Sequence, residues 1–540
     1  MEFDKNRKIV NILLFLSYLV CFARLITLKH QIGLIGVGIF GAAFLLFYSF
    51  VLFMRFGFSN VLTRMINKRM TDGHLKNAGK LLTCGLILSV LISFIFVLIH
   101  LFLAGPISEG ILHTNLCTDV IRFLAPAYLF AGVSETLSSY LAGSGDGKND
   151  SLIKLICELM ISILCFLFAG LFLSHGIKVG NLLKSNDYTS VFGARGCALG
   201  VTVGYLIAMV MNAFFYMQKK VNLKRLIRMD KTQGHYELSN GIRDIFWEGI
   251  GTFLFMLISS IIVIVSVSTT LGSGYIVKTA EDAPVFSSQI EAFGGVAAYI
   301  IPIIFVFGGS IYRIFQAYEF EWKNILRSEE IEVLRDCIRK KLRSYLLKAL
   351  PVLGILFGIS KPMIALLGCN NSEQYFGGVA MMFVACLFFG IYLLFSRYLI
   401  ISGKKMIGYI SSAVILVGFI IAIIISSSGN PTLIIPITFL ITSIVLAIYS
   451  LVYTMISGML NIRLVDVIKP VVSAAVCSAL LSLISSLMFG KTPNLIIVIL
   501  CTITFIIVYM ILMSAIHGFT KRELSRIPFG SSLRRLFYNR

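Results

Sequence analysis

Charge is scarce in this chain: Asp, Glu, Lys and Arg make up 14% of its 540 residues. Soluble globular proteins carry about 25%, because a surface in water has to be polar. With 57% of the residues in the AVILMFWYC set, too little polar material remains to clothe a soluble fold, and that class is excluded. Acid is the rarer sign, 26 residues against 47 Lys and Arg, which leaves a net charge of +21. The seven His show no HExxH or other ligand spacing and the eleven Cys contain no CxxC, so no metal site is expected. No GxxxxGK[ST] occurs, so the chain has no P-loop to drive work with a nucleotide. A separate soluble domain is missing as well: the longest hydrophilic stretches, Gln218–Ile245 and Tyr312–Tyr345, are too short to bury a core. Neither a catalytic constellation nor a cofactor is read from the sequence.

What fills the chain instead is long apolar runs. A bilayer core takes about 20 apolar residues per helix. Fourteen such runs lie near 9–28, 35–54, 81–103, 120–142, 152–174, 194–216, 246–270, 292–311, 346–368, 376–396, 407–428, 433–456, 468–489 and 495–515. Open strands cannot span lipid and the runs are too long for barrel strands, so an all-α polytopic membrane protein is expected. The first run is of full span length with no small-x-small cleavage site, and reads as a retained helix rather than a signal peptide. Most cysteines lie inside the runs as small hydrophobes. Cys117 and Cys369 fall in outward-facing loops, and the sequence leaves open whether they bridge.

The basic residues follow the runs. With the N-terminus inside, 38 of the 47 Lys and Arg fall on the inner side and 9 on the outer side or its span ends. That asymmetry orients a cell-membrane protein with both termini cytoplasmic. The +21 charge thus reads as orientation and contact with anionic lipid heads, not as a nucleic-acid surface. The segment from Glu329 to Leu342 has apolar positions at helical spacing, which predicts an amphipathic helix on the inner membrane face. Pro126, Pro302, Pro351, Pro362 and Pro436 lie within runs, where proline kinks a helix.

The sequence also repeats itself. Phe130-Ala131-Gly132 through Ser138-Ser139-Tyr140-Leu141 to Ser144-Gly145 matches Phe388-Phe389-Gly390 through Ser396-Arg397-Tyr398-Leu399 to Ser402-Gly403, seven of sixteen positions being identical at an offset of 258. Six runs separate the copies, an even number, so the halves share one orientation and are parallel repeats. The expected organisation is a six-helix lobe at 1–217, a basic linker at 218–245, a second six-helix lobe at 246–456, an additional helix pair at 457–515 and a basic tail at 516–540.

These residues resemble the multidrug/oligosaccharidyl-lipid/polysaccharide exporter superfamily. Tyr140-Leu141-Ala142-Gly143-Ser144-Gly145-Asp146-Gly147-Lys148 is similar to the loop after the fourth span, and Gly193-Ala194-Arg195-Gly196-Cys197-Ala198 to the entry into the sixth. Three features resemble its polysaccharide and stage V sporulation protein B branch, kin to lipid II flippases: Gly36-Val37-Gly38-Ile39-Phe40-Gly41, the count of fourteen runs, and the tail Thr520–Pro528. The chain departs from that branch at Ser310–Phe315. The resemblance implies alternating access by two lobes and a lipid-linked saccharide as cargo. It also implies partner glycosyltransferases or polymerases.

Such a cargo carries a diphosphate, which is costly in hydrocarbon unless cations meet it. Candidate cavity residues are Arg24 in the first run, Lys361 beside Pro362 in the ninth, and Arg122 and Arg195 at span starts. The resemblance sets Arg24 beside a cavity arginine of the flippases; for all four, snorkelling to the interface is the alternative. Glu135, Lys154 and Glu158 flank one inner loop. They read either as a structural ion pair, with Lys154 and Glu158 four apart on one helix face, or as a site for a coupling Na+ or H+. The expected function is a flippase for a lipid-linked oligosaccharide or peptidoglycan precursor, with a monomer favoured. The rival is a cation-coupled multidrug antiporter, which needs acidic cavity residues. A membrane enzyme acting on lipid-linked sugars is a third class, opposed by the repeat and by the lack of a large outer loop.

Overall fold

A computed structural model describes residues 2–183, 187–230, 237–272, 285–311, 331–369, 372–402, 406–426, 430–458, 464–488, 495–524 and 536–537. Gly403 of the repeat, the departure beyond residue 311, Glu329 and Glu330 of the amphipathic segment, and the tail motif beyond residue 524 lie outside them. Among the described residues every regular element is helical. In chain order these are α1 (Glu2–Leu52), α2 (Ser59–Thr71), α3 (Leu75–Phe102), α4 (Ala104–Gly110), α5 (Thr118–Gly143), α6 (Gly147–Leu183), α7 (Asp187–Met229), α8 (Leu238–Gly272) and α9 (Gln289–Ile311). They continue with α10 (Ile331–Gly358), α11 (Ser360–Leu366), α12 (Ser372–Ile401), α13 (Ile407–Ser426), α14 (Ile434–Ile456), α15 (Leu464–Met488), α16 (Leu495–Ala515) and α17 (Lys521–Leu524). Among the described residues twelve helices are long and apolar enough to cross a membrane, and the bent pair α10–α11, counted as one span, makes a thirteenth. All fourteen apolar runs find a place in this set, because the first two both lie in the kinked stretch Ile9–Thr71. The chain is a polytopic all-α membrane protein.

The first two runs part at Gly33, in the gap the sequence leaves between them: its φ of 71° and ψ of 173° are not helical, so α1 is two helices joined at a kink. Other expected boundaries fall elsewhere. The second apolar run predicts an end near residue 54, but the helix continues through a π-helical turn at Phe53–Phe58 into α2. The reason is local: Phe58, Val61 and Leu62 are buried, and the first stop signal is Gly73 with its φ of 81°. The amphipathic segment is likewise not a separate helix. It is the beginning of α10, which runs on into the ninth apolar run and breaks by 64° before Ser360. Pro362 sits in the first turn after the break, where its missing N–H is tolerated.

The chain divides into two compact units, Met1–Ile314 with Lys405–Thr438, and Phe315–Lys404 with Phe439–Arg540. In the first unit, α6 and α7 lie almost backbone to backbone along Gly196, Gly200 and Gly204. A Cβ at Gly200 would stand 2.6 Å from the Cys165 Cα, and one at Gly196 would overlap the Phe168 carbonyl oxygen. Glycine every fourth residue is what lets lipid-solvated helices pack this closely. α9 fits against α1 in the same way: Cβ atoms at Gly38 and Gly294 would overlap the carbonyl oxygens of Ile290 and Leu34. Polar side chains inside the unit find partners across helices, because lipid offers them none. His100 Nε2 meets the Tyr128 hydroxyl at 2.8 Å, and Thr202 Oγ1 donates to the Phe123 carbonyl at 2.6 Å.

In the second unit, α15 and α16 pack on α10, with Leu481 against Gly358 and Phe505 against Gly354. The two copies of the repeated motif use their glycine alike. Gly132 makes room for the Ser93 hydroxyl from α3, and Gly390 for the Tyr345 hydroxyl from α10. Residues 517–524 are fastened to α10 by Arg343, whose Nε and Nη2 reach Glu523 Oε1 and Oε2 at 2.9 and 3.1 Å and whose Nη2 also donates to the Gly518 carbonyl at 2.7 Å. Burial pushes the Glu523 carboxyl up, but the Arg343 and Thr520 N–H donors and the Arg343 charge outweigh it and hold it below its ordinary 4.5. A depressed carboxyl contributes stability above its unfolded value and loses it as pH falls through the folded one. The protection of the amides at Gly518–Leu524, relative to their intrinsic exchange at each pH, is therefore expected to hold steady from neutral pH down and to fall only below roughly pH 4. Glu523→Gln should remove that pH dependence.

Candidate functional site

The buried charges of the first unit form two pairs that cross between helices. Arg24 lies on α1 and is 3% exposed. Its Nη1 donates to Glu158 Oε2 on α6 at 3.1 Å, and its Nη2 reaches the Cys21 Sγ at 3.2 Å. The bend at Gly33 returns the second half of α1 beside the first, so the guanidinium also lies 5.6 Å from the centre of the Phe44 ring. Arg24 Nε has no partner among the described residues. The second pair is Arg55 with Glu135. Arg55 occupies the π-helical turn after α1, a local register shift that is common at functional sites. Its Nε and Nη2 both stand 2.7 Å from Glu135 Oε1 on α5, and Ser59 Oγ donates to the Glu135 backbone carbonyl at 3.0 Å. Glu135 Oε2 has no partner among the described residues.

A third pair stands lower on α6. Lys154 Nζ donates to Asp150 Oδ2 at 2.7 Å, and Asp150 also accepts from the Ser138 hydroxyl of α5. The sequence spacing sets Lys154 against Glu158. The structure gives Glu158 to Arg24 and puts Lys154 on Asp150, which is the better helical order, acid four residues before base.

Arg122 and Arg195 are elsewhere. Both meet Asp119, Arg195 Nη2 at 2.6 Å and Arg122 Nη1 at 3.6 Å, and Arg195 also stacks 4.4 Å over Phe192. Arg122 and Glu135 are thirteen residues apart on α5, about 20 Å at the rise of a helix. These two arginines therefore belong to a separate cluster at the start of α5. Lys361, in the second unit, is half-exposed and pairs with Glu373 at 2.8 Å.

Two residues of the site are not singled out by the sequence. Arg55 falls there among the loop charges, although Phe53, Met54, Phe56 and Phe58 surround it with apolar residues, which is the sign of a helix running on. Asp150 precedes Lys154 by four residues, the same signal that draws attention to Glu158. Among the described residues no three His, Cys, Asp or Glu gather as metal ligands, and all eleven cysteines, Cys117 and Cys369 included, are free thiols.

The arrangement of these helices is similar to that of solved polytopic transporters. Lipid II flippase MurJ in an inward closed conformation aligns with a TM-score of 0.63 at 16% identity, over 94% of this chain and 98% of that one. The eukaryotic MATE transporter AtDTX14 aligns with a TM-score of 0.59 at 13% identity, over 84% of this chain and 96% of that one. A superfamily transporter from Pyrococcus furiosus Vc1, described by the reverse polarity of its binding pocket, aligns with a TM-score of 0.54 at 16% identity, over 84% and 96%. At these identities the likeness is one of fold. No family model matches the chain, and no curated protein matches it.

Proposed function

We propose that the chain is a transporter that carries a lipid-linked saccharide across the cell membrane, from the inner to the outer leaflet, by alternating access of two six-helix lobes with both termini cytoplasmic. The observation that carries this reading is the state of the buried charges. A transporter of cationic drugs needs a carboxylate able to receive a cation. Here Glu135 and Glu158 are each already met by an arginine, at 2.7 and 3.1 Å. Arg24 keeps its Nε–H to spare out of reach of water, while on the acid side a single oxygen, Glu135 Oε2, is without a partner among the described residues beside an arginine that already balances its charge. A planar guanidinium with spare N–H groups suits the oxygens of a diphosphate. The headgroup is met by Arg24 while its polyprenyl tail stays in lipid, so neither part bears the full cost of the wrong solvent. Proteins of this fold differ in pocket polarity, the Pyrococcus furiosus transporter being described in those terms, so the sign of the buried charge bears directly on the cargo. The alignment with MurJ over 94% of the chain, against 84% for AtDTX14, supports the same choice.

Depletion of the protein, followed by labelling of lipid-linked saccharide in intact cells and in everted vesicles, is the test. The labelled lipid should accumulate in the inner leaflet, and drug susceptibility should stay unchanged. Normal appearance of the saccharide outside, or a drug-specific gain of resistance on overexpression, would count against a flippase.

A further inference from the structure

The two buried pairs are not built alike. Arg55 sets two nitrogens on one oxygen of Glu135, both at 2.7 Å, and Ser59 ties down the backbone beneath that carboxylate. Arg24 meets Glu158 through Nη1 alone, at 3.1 Å. Its Nη2 is spent on a thiol, a weak acceptor, and its Nε on nothing among the described residues. A permanent buried pair needs good geometry on every donor, because only that offsets the loss of water from two charges. The Arg55–Glu135 pair approaches this. The Arg24–Glu158 pair does not, and leaves the guanidinium able to take a better acceptor. Glu158 also has somewhere to go. Lys154 lies one turn back on the same helix, at the spacing where side chains of α6 meet, and it is itself nearly buried with Asp150.

We propose that Glu158 is the displaceable counter-ion of Arg24. In the substrate-free state it neutralises the buried guanidinium. A diphosphate then takes the guanidinium in a two-point contact that a single carboxylate oxygen does not make, and the displaced carboxylate turns to Lys154. Its return to Arg24 removes the cation from beneath the diphosphate and expels it. This deepens the flippase reading and rests on it, since it supplies the release step of that cycle. Glu158 acts through Arg24 and is a positioning residue. A site that kept Arg24 free at all times would bind the diphosphate too well to let it go, which lowers turnover without aiding transport.

The test uses the purified full-length protein in detergent for binding and in proteoliposomes for transport. Undecaprenyl diphosphate and inorganic pyrophosphate serve as the two binding probes. Glu158→Gln keeps the shape of the side chain and removes its charge. It is expected to bind undecaprenyl diphosphate roughly tenfold more tightly while transport of a polyprenyl-diphosphate saccharide slows by a similar factor. In Arg24→Ala/Glu158→Gln the gain in affinity should vanish, because it is exerted through Arg24. A strut would show the opposite pattern: a lower melting temperature with affinity unchanged or reduced, and that result overturns the counter-ion role while leaving the flippase reading intact. If Glu158→Gln does not fold, Glu158→Asp, whose carboxylate stops short of Arg24, has to show the same split between affinity and turnover, and its absence overturns the role equally. Wild-type protein that binds neither probe sinks the flippase reading itself. Equal binding of both probes retains the counter-ion but assigns it to a free anion rather than a lipid.

Discussion

Arg24→Ala is expected to abolish transport of the lipid-linked saccharide, and Arg24→Lys to leave a weak residue of it. The guanidinium is held by Glu158 and Phe44, with its Nε unspent and its Nη2 on a weak thiol acceptor. Hydrogen bonds to charged groups contribute about 1.5–3 kcal/mol each. Two of them lost from a diphosphate amount to roughly a hundredfold or more at about 1.36 kcal/mol per decade of rate. Lysine restores the charge but not the planar fork, so it offers a point contact where the diphosphate needs two. The measurement is initial transport rate in proteoliposomes at equal amounts of folded protein. A wild-type rate in both variants removes Arg24 from the path of the substrate. Arg24→Ala leaves Glu158 with Lys154 one turn away, so its melting temperature should fall far less than its rate.

The second large effect is on stability. Arg55→Ala leaves the Glu135 carboxylate, itself 4% exposed, without its cation. Breaking a buried pair from one side costs about 3–5 kcal/mol, because the remaining charge is neither solvated nor matched. Against a total stability of about 5–15 kcal/mol, that is enough to lower expression and melting temperature together. Removing the stranded charge should recover much of the loss. Arg55→Ala/Glu135→Gln is therefore expected to be more stable than Arg55→Ala, which makes the cycle strongly non-additive. Additive losses in thermal unfolding would show that the two side chains do not depend on each other.

These two arginines illustrate what the chain reveals before it is folded. Arg24 stands out in the sequence because it interrupts an apolar run, and a charge in such a run is conspicuous wherever the helix ends. Arg55 does not stand out, because it sits where one run gives way to basic residues. Its inward placement depends on a helix that bends at Gly33 and continues past residue 52 through a π-helical turn. Glu135 and Glu158 are equally visible as in-span acids. Their partners are not, since Arg24 and Glu158 are 134 residues apart and Arg55 and Glu135 are 80. Spacing along one helix gives neighbours at three and four residues, and it therefore offers Lys154 to Glu158. Lys361 shows the converse case. Its proline neighbour marks a break in the helix, and the break is there, but the lysine lies on the outside of it against Glu373.

The sequence by itself determined that the chain is a helical membrane protein, how many apolar runs it has and which charges they hold. Those properties follow from composition and local periodicity, and lipid allows few other solutions for such runs. Only the tertiary structure decided which charge meets which. That choice depends on the register between helices, which glycines at Gly38, Gly196, Gly200, Gly204 and Gly294 set by how closely they let backbones approach. Register is a relation between distant segments, and no local pattern encodes it.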